Sequence, residues 1–83
     1  MASNTLSGKR IAILATNGVE QVELLEPRKA LDAAGATTRV VSLESGSIQG
    51  MNHDKPGDKI KVDSVLDSTN ADEYDALLLP GGV

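Results

Sequence analysis

Apolar residues in this chain come mostly in short unbroken runs. Ile11-Ala12-Ile13-Leu14-Ala15 follows Lys9-Arg10 with no polar interruption, the pattern of a strand buried on both faces. Asn17-Gly18 breaks it. Residues 19–34 switch to a helical period, with Leu24, Leu31 and Ala34 on one face and Lys29 and Asp32 off that stripe. Pro27 interrupts the pattern, because a proline has no N–H to offer the carbonyl of Glu23. The helix either begins near Glu26 or carries a short first turn and a kink, and the second is favoured. Gly35 is a natural stop. Thr37-Thr38-Arg39-Val40-Val41-Ser42-Leu43 is rich in β-branched residues and reads as a second strand. Strand, helix and strand within about 30 residues make a βαβ unit with parallel strands and a right-handed crossover.

Residues 44–58 lose the helical period. Ser47-Ile48-Gln49 and Lys59-Ile60-Lys61-Val62 alternate polar and apolar, which predicts a hairpin with a long polar tip from Met51 to Asp58. One helical turn is expected between Val62 and Ser68. Asn70-Ala71-Asp72-Glu73 reads as a cap and short turn. Asp75-Ala76-Leu77-Leu78-Leu79 is apolar again and predicts a third, central parallel strand, ending on Pro80-Gly81-Gly82-Val83. Residues 1–8 are a polar, flexible lead, and residues 9–83 form part of a single α/β domain.

Composition narrows this picture. Tyr74 is the one aromatic residue among 83, so the core must be built from Ile, Val, Leu and Ala. Three strands and one helix cover only one face of a sheet, whereas a doubly wound domain needs helices on both. The expectation is that the domain is incomplete, the rest being a second polypeptide or lost. The chain has no cysteine, so no disulfide or thiol nucleophile can come from it. The formal charge is −4 with acids and bases mixed. Without a basic stripe or stacking aromatics, neither nucleic acid nor an anionic membrane is an expected partner. No signal-like or spanning segment is present, so the expected location is cytoplasmic.

Ligands of open α/β sheets bind beyond the carboxyl ends of the strands. Two segments end there, Thr16 to Glu23 and Leu79 to Gly82, and a third end, after Leu43, begins with Glu44-Ser45-Gly46. Gly81 and Gly82 allow a sharp turn that frees backbone N–H groups for a phosphate or an oxyanion; the same pair also suits a plain strand-to-helix turn. Glu20 and Glu23, three apart, share a helix face and can supply an acid or base, or simply complement the helix dipole. Gly18 and His53 are candidates for a pocket rim, although His53, in the polar segment Met51-Asn52-His53-Asp54-Lys55, also reads as a solvated loop residue. One His with one Asp falls short of a metal site, and the glycine fingerprint of a nucleotide site is absent. No metal or cofactor is expected.

Taken in order, these segments resemble the ThiJ/PfpI superfamily from Lys9 onward. The resemblance rests on Ile11-Ala12-Ile13-Leu14-Ala15 leading into Gly18-Val19-Glu20-Gln21-Val22-Glu23; on Glu23-Leu24-Leu25-Glu26-Pro27; on Ala34-Gly35; and on Tyr74-Asp75-Ala76-Leu77-Leu78-Leu79-Pro80-Gly81-Gly82. Gly50-Met51-Asn52-His53-Asp54 is similar to a variant in bacterial stress-linked members. The resemblance implies a flavodoxin-like, class I glutamine amidotransferase-like fold with a cysteine nucleophile on a strand-to-helix elbow. By position it makes Glu23 the carboxylate near that thiol, Glu20 a second acid of the motif, and Gly82 and Gly81 the oxyanion turn. It implies a stress-response hydrolase (a protease, a protein deglycase or a glyoxalase acting on methylglyoxal) or a chaperone-like stress protein, hence for the enzymes a peptide or small aldehyde substrate. It also implies a homodimer or larger oligomer. The nucleophile then lies beyond Val83, on the cysteine-bearing remainder of the domain. A non-catalytic scaffold or binding module of the same fold is the competing reading. A small flavin or nucleotide binder is a third, weakened by the missing phosphate loop.

Overall fold

The computed structural model describes residues 5–81. The first apolar run forms β1 (Arg10–Leu14), with Ile11, Ala12 and Ile13 all buried. Burial at consecutive positions means that both faces of the strand are covered, as an unalternating run requires. β2 (Thr37–Ser42) lies parallel to β1 on one side, and β6 (Ala76–Leu78) lies parallel on the other. The hairpin strands β3 (Ser47–Asn52) and β4 (Lys55–Lys61) form a separate antiparallel pair. A two-residue strand, β5 (Ser64–Val65), adds to the outer edge of β2. Among the described residues the main sheet therefore has four parallel strands in the order β5-β2-β1-β6.

Three expectations need correction. The segment after Val62 gives β5 before a short 3-10 turn over Leu66–Ser68. A two-residue strand has no readable period, and only pairing with Val41 and Ser42 defines it. Among the described residues β6 sits at the sheet edge, not in its centre, and Leu77 is 59% exposed. The hairpin tip is short. Asn52 pairs with Lys55 around His53-Asp54, and His53 adopts φ 60°. A register shift between Gln49 and Met51 places Met51 opposite Pro56. Such irregular positions break the alternation that marks a strand in sequence.

The helix α1 (Gln21–Ala33) runs through Pro27 without a break. Its sequence offered a later start or a short first turn at that proline; the observed helix begins well before it. The missing Pro27 N–H deprives the Glu23 carbonyl of its helical donor. Leu24, fully buried in the core, anchors this part of the helix, and Leu25 packs against the same cluster. At the other end the Gly35 N–H donates to the Asp32 carbonyl and the Ala36 N–H to the Leu31 carbonyl, each at 3.1 Å. With Gly35 at φ 99°, this is a Schellman stop, which glycine enters without the penalty a Cβ would bring.

The core lies on the face of the sheet that carries α1 and the hairpin. It joins Ile13, Ala15, Val19, Leu24, Val40, Ile48, Ile60 and Val62. Polar groups at its rim are paired. Arg28 Nε donates to Thr38 Oγ1 at 3.0 Å, and Thr38 Oγ1 donates to Asp32 Oδ1 at 2.8 Å. Asp63 Oδ2 accepts the Val40 N–H at 2.8 Å and meets the Arg28 guanidinium at 3.5 Å. The opposite face carries an apolar groove of about 370 Å³, lined by residues including Ala12, Leu14, Leu66, Tyr74 and Leu77. No helix among the described residues is long and apolar enough to cross a membrane.

Candidate active site

The chain runs from β1 to β2 and β5 on one side, then returns to the other side of β1 as β6. The strand order thus reverses between β1 and β6, and the crevice beyond their carboxyl ends is where such sheets bind ligands. Two turns meet there. The first leaves β1 through Thr16-Asn17-Gly18 and enters α1, with Gly18 at φ 94°. The second is the Pro80-Gly81 end of β6. The Glu20 N–H donates to the Gly81 carbonyl at 3.1 Å, so the two turns are tied by backbone.

That tie sets the surroundings of Glu23, which lies in the first turn of α1. Its carboxyl group rests against Gly81: a Cβ built on Gly81 would run into Oε1, with Cδ at 3.0 Å and Oε2 at 3.2 Å. Glycine is therefore what lets the carboxylate sit over the turn. Among the described residues the Gly81 N–H makes no hydrogen bond to a main-chain carbonyl. Gly82 lies outside the described residues.

Glu20 does not share a helix face with Glu23. It is the N-cap of α1, with extended backbone at φ −66° and ψ 116°. Its carboxylate turns to the hairpin and accepts the His53 N–H at 3.2 Å and 3.1 Å through its two oxygens. The two acids thus serve different neighbours. Glu23 faces the turn after β6, while Glu20 holds the tip of the hairpin. His53 is exposed and reaches Glu20 through its main chain. Gly18 likewise belongs to this seam, its N–H donating to the Gln49 carbonyl at 3.0 Å.

The seam contains polar residues that the sequence pattern did not single out. Asn17 Oδ1 accepts the Gln49 N–H at 2.7 Å. Gln21 Oε1 accepts the Asp58 N–H at 2.6 Å, and Gln21 Nε2 donates to Asp58 Oδ2 at 3.1 Å. The Gln21 side chain lies against Gly50 and Gly57, where a Cβ on either strand would meet it. Two glycines in facing strands are the signal that marks such a close approach. The Met51 N–H donates to the Val19 carbonyl at 2.8 Å. A small polar recess of about 130 Å³ lies beside the seam, between Thr16, Asn17, Ser42, Glu44, Ser45 and Ser47. No group of three or more His, Cys, Asp or Glu among the described residues is placed to hold a metal ion.

A parallel sheet with a first-helix carboxylate over a glycine turn at its switch point defines a class, and comparison gives the class its name. The model of the DJ-1/PfpI family matches residues 9–83, and the chain belongs to that family. It is 42% identical over 73 residues to the deglycase PfpI of Pyrococcus furiosus, covering 88% of this chain and 42% of that protein. It is 39% identical over 77 residues to general stress protein 18 of Bacillus subtilis, covering 90% of this chain and 42% of that one. A ThiJ/PfpI domain protein from Brachyspira murdochii shares the fold, with a TM-score of 0.77 at 24% identity over 100% of this chain and 43% of its own. The chain thus spans 42% of the length of these curated relatives.

Proposed function

We propose that this chain supplies the acid and the oxyanion turn of a cysteine-dependent hydrolase of the DJ-1/PfpI type, and that the nucleophile comes from the remainder of the domain. The observation that carries the reading is the Glu23 carboxyl group seated over Gly81 at the β1/β6 switch point. A carboxyl group that donates a hydrogen bond to a thiolate favours the anion and so the attacking form. When that sulfur adds to a carbonyl carbon, the carbonyl oxygen gathers negative charge, and the Gly81 N–H, with that of Gly82, is the donor we assign to it. We assign Glu20 to fixing the hairpin rather than to this chemistry, on the strength of its bond to the His53 N–H.

The substrate class we propose is a glycated amine, supported by the name of the Pyrococcus protein, with peptides and small aldehydes such as methylglyoxal as alternatives sharing the same thiolate and oxyanion needs. We further assign the complete protein to the cytoplasm as a homodimer or larger oligomer, which size-exclusion chromatography with light scattering tests directly. The catalytic reading is tested in the full-length protein by thiol alkylation and by Glu23→Gln, assayed on all three substrate classes. Alkylation is expected to abolish turnover, and Glu23→Gln to lower kcat by about 10²-fold or more. Gly81→Ala should act in the same direction, since its Cβ displaces the carboxyl group. Full activity after alkylation would overturn the thiol mechanism, and no turnover on any of the three classes before alkylation would favour a non-catalytic module.

A further inference from the structure

Asn17-Gly18 is the one Asn-Gly pair in the sequence. In this dipeptide the second residue's backbone nitrogen reaches the asparagine side chain most easily, because glycine has no Cβ to obstruct it. The Gly18 nitrogen, once its proton passes to solvent base, adds to Asn17 Cγ. The Cγ–Nδ2 bond then breaks and ammonia leaves, closing a five-membered imide. Water opens that ring at either carbonyl to give aspartate or isoaspartate.

Both reacting groups are held by one residue of the hairpin. The Gly18 N–H donates to the Gln49 carbonyl at 3.0 Å, and Asn17 Oδ1 accepts the Gln49 N–H at 2.7 Å. The first bond keeps the proton on the nucleophile, and the second holds the side-chain amide fixed against the β3 edge, so that it cannot rotate freely into the attack geometry. Because Gln49 supplies both, lifting the hairpin releases both together. Asn17 itself is exposed, so the water that completes the reaction is at hand.

We propose that Asn17 is a deamidation site gated by hairpin docking: closed while Gln49 is seated, and reactive when the hairpin opens. The rate then follows the open fraction, as amide exchange does for local opening. The docked state is maintained at a distance by the Gln21–Asp58 clasp and the Glu20–His53 bond. An isoaspartate at this position adds a methylene to the main chain between β1 and α1, and so shifts Glu23 relative to Gly81. The modification stands independently of the catalytic reading; only its effect on turnover rests on it.

The test is peptide mapping by mass spectrometry of the full-length protein held at mildly alkaline pH, with isoaspartate scored by enzymatic methylation. Asn17 is expected to deamidate at least about tenfold more slowly in the native protein than in urea, and Gln21→Ala to recover on the order of five- to tenfold of that rate. Should Gln21→Ala fail to fold, the unmodified protein serves. Across sub-denaturing urea, the Gly18 amide exchange rate and the Asn17 deamidation rate should rise in parallel. Equal native and unfolded rates, or deamidation that stays constant while Gly18 exchange accelerates, would overturn the gate.

Discussion

The two faces of the parallel sheet are built from the same residue types but are covered to different extents. On one face Ile13 and Val40 have no exposure at all, because α1, through the equally buried Leu24, and the hairpin meet over them. On the other, Leu77 and Leu66 are 59% and 43% exposed along the apolar groove. The difference teaches that a run of apolar residues states only that both faces need cover. Which face receives it from within these residues depends on where α1 and the hairpin fall.

The largest expected effect lies on the covered face. Leu24→Ala in the full-length protein should cost about 2–5 kcal/mol by urea denaturation, from lost burial plus the cavity left behind. Leu77→Ala breaks or sharpens the comparison most directly. If the remainder of the domain packs on the groove, this substitution should cost nearly as much, about 2–4 kcal/mol. A change below about 0.5 kcal/mol, the usual effect of a surface substitution, would mean that the face stays wet. Asp63→Ala ranks next. It removes the acceptor of the Val40 N–H and the partner of Arg28, at about 1–2 kcal/mol. The ion pair is partly exposed, at 28% and 22%, so it contributes the smaller part, and Asp63→Asn should recover most of the loss. The smallest effect belongs near the groove entrance. Asn70 Oδ1 accepts the Asp72 N–H at 3.0 Å to cap the short turn before β6, and Asn70→Ala should cost about 0.5–1 kcal/mol.

Much of the site was legible, because its parts are local. Pro80-Gly81 after an apolar strand, and Glu23 in a first helical turn, are patterns within a few residues. The role of Glu20 was not legible. At i, i+3 it reads as a helix-face partner of Glu23, and only the extended backbone at the cap turns it away. Its true partner, the His53 N–H, lies 33 residues along the chain. Gln21 was hidden for the same reason, since Asp58 is 37 residues distant.

The sequence by itself determined the parallel strands, the helix between the first two, the Gly35 stop and the strand-to-glycine turn. Each follows from periodicity or backbone stereochemistry that acts over a few neighbouring residues. Tertiary structure alone decided the rest. It defined β5 by pairing with β2, left β6 at an edge of the described sheet, closed the hairpin tip by pairing Asn52 with Lys55, and carried α1 through Pro27. It also parted the two acids, seating Glu23 over Gly81 and Glu20 on the hairpin. Those outcomes depend on hydrogen bonds and packing between distant segments, and such bonds leave no period in the sequence to read.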